Sequence, residues 1–345
     1  MRNLAERENP EFDESGFPVR QGEIVGLNLG EGGVGTLQSK GFTVIATHDL
    51  PALQSRVTRL SAPVGLDAGM ALAKARNALP NATLDYTHYY AMQFSSAGAA
   101  EKDRNASLPR KKGKLTIGMI DTGVVSHSAL RGASIESRNF GSVEGAATKT
   151  HGTAVASILV SEGSNKLYVA NIFRGSSSQP FTSADAIVDA LDWMVANKVP
   201  VVNMSLSGPR NAILDRLVEQ SVGRGTMIVA AAGNGGPTAP PAYPAALRSV
   251  VAVTAVDHEN RVYRYANQGR YITVAARGVG EAAADSRGGI GQFSGTSFAT
   301  PHVSAWMARC LTRSSPLTCG RKLRTSARDL GAPGYDPVYG YGLVD

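Results

Sequence analysis

Long apolar segments are absent from this 345-residue sequence, and aromatic residues make up only 6% of it. No run of about 18 apolar residues occurs, so we predict no membrane span. The formal net charge is +7, but basic residues are interleaved with acidic ones and lack aromatic residues between them, which argues against a nucleic-acid partner. Only Arg110, Lys111, Lys112 and Lys114 form a basic run, which we interpret as part of a solvated linker.

Cysteine is also rare, since only Cys310 and Cys319 occur, nine positions apart. Free thiols in a cytosolic protein are one interpretation. A disulfide is the other, because we expect Cys310 to end one helix and Cys319 to begin the next, so that a bridge is sterically reasonable. A disulfide would indicate an oxidising compartment, and we predict an exported protein, periplasmic or extracellular. Residues 1–21 are polar, however, with no apolar segment of signal-peptide length.

The length exceeds that of a usual single domain, so we expect two domains. A hydrophobic content of 43% with 38 Gly and 17 Pro is typical of a globular α/β protein rich in tight loops, and it excludes disorder throughout. The predicted division is a polar N-terminal tail at 1–20, a small domain at 21–92, a linker at 93–113 and a larger domain at 114–345.

The small domain has the predicted order strand, helix, strand, strand, helix, strand, which is that of a ferredoxin-like α+β unit. Apolar and β-branched runs predict the strands, and the helical spacing of Ala71, Leu72, Ala75 and Leu79 before Pro80 predicts the second helix. The elements are expected at 24–29 (strand), up to about 40 (helix), 42–47 and 55–60 (strands), 66–79 (helix) and 82–90 (strand).

The larger domain alternates strands and helices, which predicts an α/β fold with a doubly wound, mostly parallel sheet. A buried strand at 115–120 delivers Asp121 at its carboxyl end, while His151 and Ser297 each begin a helix. Candidate residues therefore collect at strand ends and helix starts, where open α/β sheets bind ligands.

Three motifs carry the chemistry: Asp121-Thr122-Gly123, His151-Gly152-Thr153, and the stretch from Gly295 to His302 that contains Ser297. An Asp, a His and a Ser at glycine-flanked turns can turn a weak hydroxyl into a nucleophile. His151 would accept the Ser297 proton, and Asp121 would orient the imidazole. A serine hydrolase is predicted, with no cofactor and no metal.

In this order the motifs resemble the subtilase family of subtilisin-like serine proteases over residues 114 to 345. The resemblance implies a serine endopeptidase acting on polypeptides, with Asp121, His151 and Ser297 as the triad and Asn234 as an oxyanion donor beside the Ser297 N–H. The small domain is similar to the subtilase propeptide, which implies a zymogen whose own N-terminal domain is the inhibitor.

The same resemblance implies a substrate cleft built by three segments. An extended substrate would bind there largely through its main chain. Ser207 and Ala242 stand where the family usually has Gly, so we expect a narrower rim and a shallower pocket. The implied substrate-binding residues are Ser205, Leu206, Ser207, Ala231, Ala232, Gly233 and Ala242.

Further expectations also rest on the resemblance. The segment after the His151 helix, 161–166, is short and holds one carboxylate, so the family's calcium site is expected to be missing. The Tyr243–Pro244 bond is also expected to be cis from the resemblance. Two expectations rest on position instead. Tyr89 or Tyr90, at the exit of the last strand of the small domain, is expected to fill an upstream subsite, and His302, on the Ser297 helix, is a weaker catalytic candidate that is expected to pack.

Two alternatives remain open. A catalytically silent subtilase-fold binding or regulatory protein would retain the same sequence pattern, and the small domain could be an inhibitor-like or regulatory module. An esterase or lipase is disfavoured, because the Gly-x-Ser-x-Gly elbow of those enzymes is lacking.

Overall fold

The computed structural model describes residues 9–91, 108–141, 149–176 and 179–345. The predictions for residues 1–8 and for residues 93–107 of the linker lie outside this part of the chain. The described residues form an N-terminal unit, residues 9–91, and a C-terminal unit, residues 108–345.

An antiparallel sheet with two helices makes up the N-terminal unit. From β2 onward the order is βαββαβ, which confirms the prediction. The helices and one face of the sheet enclose a core that includes Ile24, Leu37, Leu60 and Leu72, each at most 1% exposed. The elements are β1 (Glu11–Phe12), β2 (Pro18–Leu27), α1 (Gly30–Ser39), β3 (Thr43–Leu50), β4 (Ser55–Ser61), α2 (Ala68–Ala78) and β5 (Thr83–Ala91).

The predicted boundary between a polar tail and this unit, at residue 21, lies too far along the chain. Strand β1 pairs with β2, and β2 already begins at Pro18. Val19 is fully buried, and the Glu11 carboxylate accepts a hydrogen bond from the Ala68 N–H at 2.5 Å. Residues 9–20 are polar in composition, which predicts a tail. They belong to the N-terminal unit because β1 pairs with β2 and because Glu11 binds the first N–H of α2.

The C-terminal unit is built on a seven-stranded sheet in which every pair is parallel, with spatial order β14-β13-β12-β11-β6-β8-β7. Apolar clusters cover both of its faces, as a doubly wound sheet requires. The predicted α/β fold is confirmed. Its strands are β6 (Leu115–Asp121), β7 (Ser134–Asn139), β8 (Ser164–Asn171), β11 (Val201–Met204), β12 (Met227–Ala231), β13 (Val250–Val256) and β14 (Val274–Arg277).

Among the described residues, five α-helices accompany this sheet, together with two small strand pairs. The helices are α3 (Thr150–Ser161), α4 (Ala184–Ala196), α5 (Ala212–Gly223), α6 (Thr296–Leu311) and α7 (Pro316–Ser326). The additional strands are β9 (Arg174–Ser176), β10 (Gln179–Ser183), β15 (Glu281–Ala284) and β16 (Ile290–Phe293).

The predicted linker end at residue 113 also needs correction. The Lys111 N–H donates to the Ser161 carbonyl at 2.7 Å, and its ammonium lies 2.8 Å from Glu162. Arg110 donates to the Arg131 carbonyl at 2.6 Å. The start of the basic run is therefore attached to the C-terminal unit, because the side chains of Arg110 and Lys111 have specific partners there.

The two units share a sheet, because β5 pairs antiparallel with β10 of the C-terminal unit. The register places Tyr90 opposite Thr182 and Tyr89 opposite Ser183. The face of the N-terminal sheet that α1 and α2 leave uncovered packs on α4 and α5. One apolar cluster there contains residues of both units. The N-terminal unit thus reaches the C-terminal unit through strand pairing and a buried apolar contact.

Three local expectations can be compared with the structure. The Tyr243–Pro244 peptide bond is cis, which confirms that prediction. Cys310 and Cys319 form a disulfide, with Cα atoms 5.8 Å apart, joining the end of α6 to α7. Among the described residues, no helix combines the length and apolarity needed to cross a bilayer.

Candidate active site

Asp121 and His151 are in direct contact at the carboxyl edge of the parallel sheet. Asp121 is the last residue of β6, and His151 is the second residue of α3. The Nδ1 atom of His151 lies 2.8 Å from Oδ1 of Asp121, and the two residues are 3% and 0% exposed. Burial strengthens this contact because water competes little for either group.

The turns that present Asp121 and His151 are tied to each other by Thr122. The Thr122 N–H donates to Oδ1 of Asp121 at 2.6 Å, and the Thr122 hydroxyl accepts the Gly152 N–H at 2.8 Å. The Asp121 carboxylate and the His151 ring therefore have little freedom to rotate.

Ser297 is the second residue of α6, the longest described helix, and is 3% exposed. The next residue, Phe298, places its ring 5.2 Å from the His151 ring. Phe298 thus packs on His151. In addition, the first-turn N–H groups of α6 favour negative charge near Ser297.

A buried polar network fixes the backbone around Ser297. The Ser205 hydroxyl accepts from the Asn203 amide at 2.8 Å and donates to the Ser297 carbonyl at 3.1 Å. The Ser304 hydroxyl donates to the Asn203 oxygen at 3.0 Å, and the Ser297 hydroxyl lies 3.5 Å from the Ser205 carbonyl. Strand β11 and helix α6 are therefore locked together at this point.

The Asn234 amide is oriented by Thr296. Its oxygen accepts both the Thr296 N–H and the Thr296 hydroxyl, each at 3.0 Å. Its nitrogen consequently faces Gly295, where an added Cβ would lie 3.1 Å from Nδ2. Gly295 has φ of +147°, so both the backbone conformation and the close approach of Asn234 favour glycine there.

The segments expected to form the pocket lie side by side. A Cβ on Gly233 would be 3.1 Å from the Cβ of Ala242, so these two residues are neighbours. The Gly233 N–H donates to the Thr296 hydroxyl at 3.2 Å, and the Tyr271 hydroxyl donates to the Ala232 carbonyl at 2.7 Å. Ala231, Ala232 and Ala242 carry no charge and are nearly fully buried.

On the other side, Leu206, Ser207 and Gly208 meet the end of the N-terminal unit. Tyr90 is 1% exposed and belongs to the same apolar cluster as Leu206. Its hydroxyl donates to the Pro209 carbonyl at 3.2 Å, and its ring lies where a Cβ on Gly208 would overlap it. Ser207 is 4% exposed.

The helices that carry His151 and Ser297 are also joined at a second place, by Glu162 and His302. Nδ1 of His302 lies 3.0 Å from Glu162, and its Nε2 lies 3.4 Å from Glu281. Burial alone would lower the pKa of His302, but the two carboxylates raise it to about 9. The expectation that His302 simply packs is therefore wrong, because it is an ion-pairing residue.

Glu162 is the one carboxylate of the loop at 161–166. Burial would raise its pKa, but hydrogen bonds from His302 and Lys111 lower it to about 2. Arg309 adds a hydrogen bond to the Glu162 carbonyl at 2.8 Å. Both carboxylate oxygens therefore face cationic side chains of the protein.

Sequence reasoning missed the groups that orient the candidate residues. Thr122 and Thr296 lie inside the motifs but were given no role, although a hydroxyl next to a candidate side chain was a signal. Nothing in the sequence pointed to Tyr271 or to the Glu162–His302 pair, because their partners are far away along the chain.

Comparison with known proteins bears on both units. The sequence profile of the Subtilase family matches residues 112–342. Subtilisin DY of Bacillus licheniformis is 32% identical over 253 residues, which cover 68% of this chain and 90% of that protein. The minor extracellular protease Epr of Bacillus subtilis is 35% identical over 164 residues, but these span only 25% of its length.

Solved structures resemble the fold of nearly the whole chain. Fervidolysin from Fervidobacterium pennivorans, a keratinolytic enzyme related to subtilisin, has a TM-score of 0.75 at 17% identity, covering 97% of this chain and 61% of its own. The epidermin leader peptide processing serine protease from Staphylococcus aureus has a TM-score of 0.70 at 16% identity, covering 94% and 98%. At such identities the likeness concerns the fold alone.

Proposed function

Because this chain belongs to the subtilase family of subtilisin-like serine endopeptidases, we propose that it hydrolyses peptide bonds with Ser297 as nucleophile, His151 as general base and Asp121 as the residue that orients it. The observation that carries the proposal is the buried 2.8 Å contact between His151 and Asp121 beside the helix that Ser297 begins. No cofactor enters this chemistry.

In the proposed reaction the Ser297 oxygen attacks the scissile carbonyl carbon while His151 takes the hydroxyl proton. The oxyanion accepts hydrogen bonds from the Asn234 amide and the Ser297 N–H, and the orientation of Asn234 by Thr296 supports this role. His151 then returns the proton to the leaving amine. Water releases the acyl group, with His151 again as base.

We also propose that the N-terminal unit, residues 9–91, inhibits the enzyme before maturation. Support comes from the pairing of β5 with β10 and from the burial of Tyr90 against Gly208. An extended segment that adds to an edge strand of a cleft occupies it as a substrate would. The chain after Ala91 would then enter the cleft toward Ser297 and be cut there.

Polar contacts along the interface support a specific docking of the two units. Asp85 accepts the Ala212 N–H at 2.6 Å at the start of α5, where negative charge is favoured by the helix dipole. Asp192 accepts the Leu53 N–H at 2.8 Å, and the His48 ring lies 3.2 Å from Asp189. Such contacts orient the N-terminal unit as well as attaching it.

We infer export of the protein from the Cys310–Cys319 disulfide, since structural disulfides persist in oxidising compartments. The relative Epr, whose name describes it as extracellular, agrees with this inference.

A fluorophosphonate probe tests the catalytic proposal. The wild-type protein, incubated until its N-terminal unit has been cleaved off, should be labelled at Ser297, as found by peptide mapping. Labelling should be lost in Ser297→Ala and strongly reduced in His151→Ala, which keeps the hydroxyl but removes its base. The matched control Ser294→Ala, three residues away, should keep the label. A wild-type protein that stays unlabelled after losing the N-terminal unit would instead support a catalytically silent binding protein.

A further inference from the structure

An arginine-lined cavity lies beside the proposed cleft, whose lining residues Ala231, Ala232 and Ala242 carry no charge. It measures about 550 Å³ and is formed by the segments around residues 243–250, 269–273, 324 and 335–341. Its polar side chains are mainly arginine and tyrosine. Those that matter for the argument are Arg248, Arg270, Arg324, Tyr271, Tyr335 and Tyr341.

The charge of this cavity is not balanced by the protein. No Asp or Glu lines it among the residues that the structure describes. Arg248, Arg270 and Arg324 are exposed, and within the described part of the chain none of them lies within ion-pair distance of a carboxylate. Other arginines, such as Arg59 and Arg261, do pair with acidic side chains. Three guanidinium groups around one concave surface favour an anionic ligand.

Exposed aromatic rings line the same cavity. Tyr335 and Tyr341 are 40% and 38% exposed, and their ring centroids are 5.2 Å apart at an interplanar angle of 60°. The Arg324 guanidinium lies 5.6 Å from the Tyr341 ring centroid. Tyrosine and arginine are the residue types enriched where proteins bind polypeptides.

The cavity shares a wall with the proposed cleft. The Tyr243 backbone exchanges two hydrogen bonds of 3.0 Å with Gly208, the residue on which Tyr90 packs. Tyr271 lines the cavity, and its hydroxyl donates to Ala232. A ligand in this cavity would therefore be one residue layer away from a peptide in the cleft.

A second hollow, of about 750 Å³, connects the cavity to the incoming strand. It is lined by Thr83 and Leu84, at the start of β5, and by Arg248, which it shares with the arginine-lined cavity. Two acidic residues, Asp215 and Glu219, also line this hollow. Their carboxylates lie 2.8 and 3.8 Å from the guanidinium groups of Arg210 and Arg216, so they are already paired. Thr83 precedes Tyr90 by seven positions. If a substrate takes the place of β5, the residues that lie near Arg248 are those six to seven positions upstream of the residue equivalent to Tyr90.

We propose that this cavity is an exosite for acidic polypeptide, and that it selects substrates with Asp or Glu six or more residues upstream of the position equivalent to Tyr90. This inference rests on the proposed function, because it assigns a substrate class to the same enzyme. Guanidinium groups would pair with the carboxylates, and the tyrosine rings would contact neighbouring side chains.

Binding without catalysis tests the exosite directly. Full-length Ser297→Ala protein is titrated with fluorescein-labelled hexaglutamate, with hexaglutamine as the uncharged control. Hexaglutamate should bind, hexaglutamine should not, and binding should weaken as salt rises from about 50 to about 200 mM. Adding Arg248→Gln, Arg270→Gln and Arg324→Gln should raise the Kd about tenfold or more, since each pair typically contributes a factor of about two to five.

A variant with the same net charge provides the control. Arg131→Gln, Arg313→Gln and Arg321→Gln remove three exposed arginines outside the cavity and should change the Kd less than about twofold, well below the typical effect of removing paired charges. Equal losses in the two triple variants would overturn the proposal, because net charge alone would then explain binding. Binding of tripolyphosphate but not hexaglutamate would assign the cavity to phosphate and also overturn it.

A cleavage assay separates this proposal from the proposed function. Two peptides with the same cleaved bond carry either three Glu or three Gln upstream. The wild type should show a lower KM for the Glu peptide at similar kcat, and the cavity triple variant should lose this difference. Equal cleavage of the two peptides by the wild type overturns the exosite alone, whereas cleavage of neither peptide counts against the proposed protease activity.

Discussion

The Tyr90 ring of the N-terminal unit lies directly on the Cα of Gly208, so that no side chain fits between them. The Tyr90 side chain is 1% exposed, and its hydroxyl is bonded to the neighbouring Pro209 carbonyl. Because β5 pairs with β10 of the C-terminal unit at this residue, the fit of Tyr90 on glycine is a measurable part of the docking between the two units.

Gly208→Ala should loosen the N-terminal unit. Overpacking of this kind typically costs about 1–3 kcal/mol, and we expect limited trypsin digestion to remove residues 9–91 faster than in the parent. Both proteins should carry Ser297→Ala, so that self-cleavage does not interfere.

The overlap requires the Tyr90 ring, so the control is a double-mutant cycle with Tyr90→Ala. In that background the added methyl group at residue 208 should have little effect on digestion. An equal effect in both backgrounds would show that Gly208 acts by some route other than contact with Tyr90.

Asn234→Ala should reduce kcat with little change in KM, because the amide would bond the oxyanion and not the substrate carbonyl. Loss of the equivalent donor in subtilisin, a member of the same family, reduces kcat by about 10²–10³-fold, and we expect a similar effect here. Steady-state kinetics on a chromogenic peptide measure it. A loss of less than about fivefold would be too small for such a donor.

The uncharged, shallow pocket that the family resemblance implies near Ala242 predicts a preference for medium-sized apolar residues immediately before the cleaved bond. Discrimination should be modest, about 1–3 kcal/mol per methylene-sized difference. Ala242→Gly should shift the preference toward larger aromatic residues, because it removes the methyl group next to Gly233. Profiling both proteins with one peptide library measures the shift, and a dominant preference for Arg or Asp would contradict this assignment.

The sequence predicted the order of helices and strands in the N-terminal unit because their apolar patterns are strong. Strand β6 with Asp121, helix α3 with His151 and helix α6 with Ser297 all lie where the motifs indicated. Resemblance, and not periodicity, supplied Asn234 and the cis bond before Pro244. The disulfide followed from the expected positions of two helix ends.

What the sequence could not predict depends on contacts between distant segments. Strand β10, at Gln179–Ser183, is short and its pattern is weak, since it is defined by pairing with β5 some 90 positions earlier along the chain. Likewise the local sequence around Lys111 indicates a solvated linker, because its partner, Glu162, lies in another element. The arginine-lined cavity joins four separate segments and leaves no local signal.

His302 should make stability depend on pH in the neutral to alkaline range. Its pKa is raised from 6.5 to about 9, so its ion pairs with Glu162 and Glu281 contribute fully below about pH 6.5. This contribution should be lost as pH rises through about 9. Lys111 and Arg309 also face Glu162, at 2.8 and 3.7 Å.

The measurement compares free energies of unfolding of Ser297→Ala protein with and without His302→Gln, from pH 5 to 10. The difference should be largest at the acidic end and should shrink between about pH 6.5 and 9. The matched control is His258→Gln, at an exposed histidine, which should give no such trend. A difference that stays constant with pH would mean that His302 contributes packing and not charge.

Intact-mass spectrometry of the purified wild-type and Ser297→Ala proteins tests the central claim most directly. If Ser297 is the nucleophile and the N-terminal unit is its first substrate, the wild type should mature to a fragment that begins after Ala91. The cut should fall before Lys111, which is held by Ser161 and Glu162, and Ser297→Ala should stay at full length. Identical trimming of the two proteins would contradict the account, because another protease would then make the cut. A wild type that stays uncleaved under conditions that undock the N-terminal unit from the C-terminal unit would also contradict it.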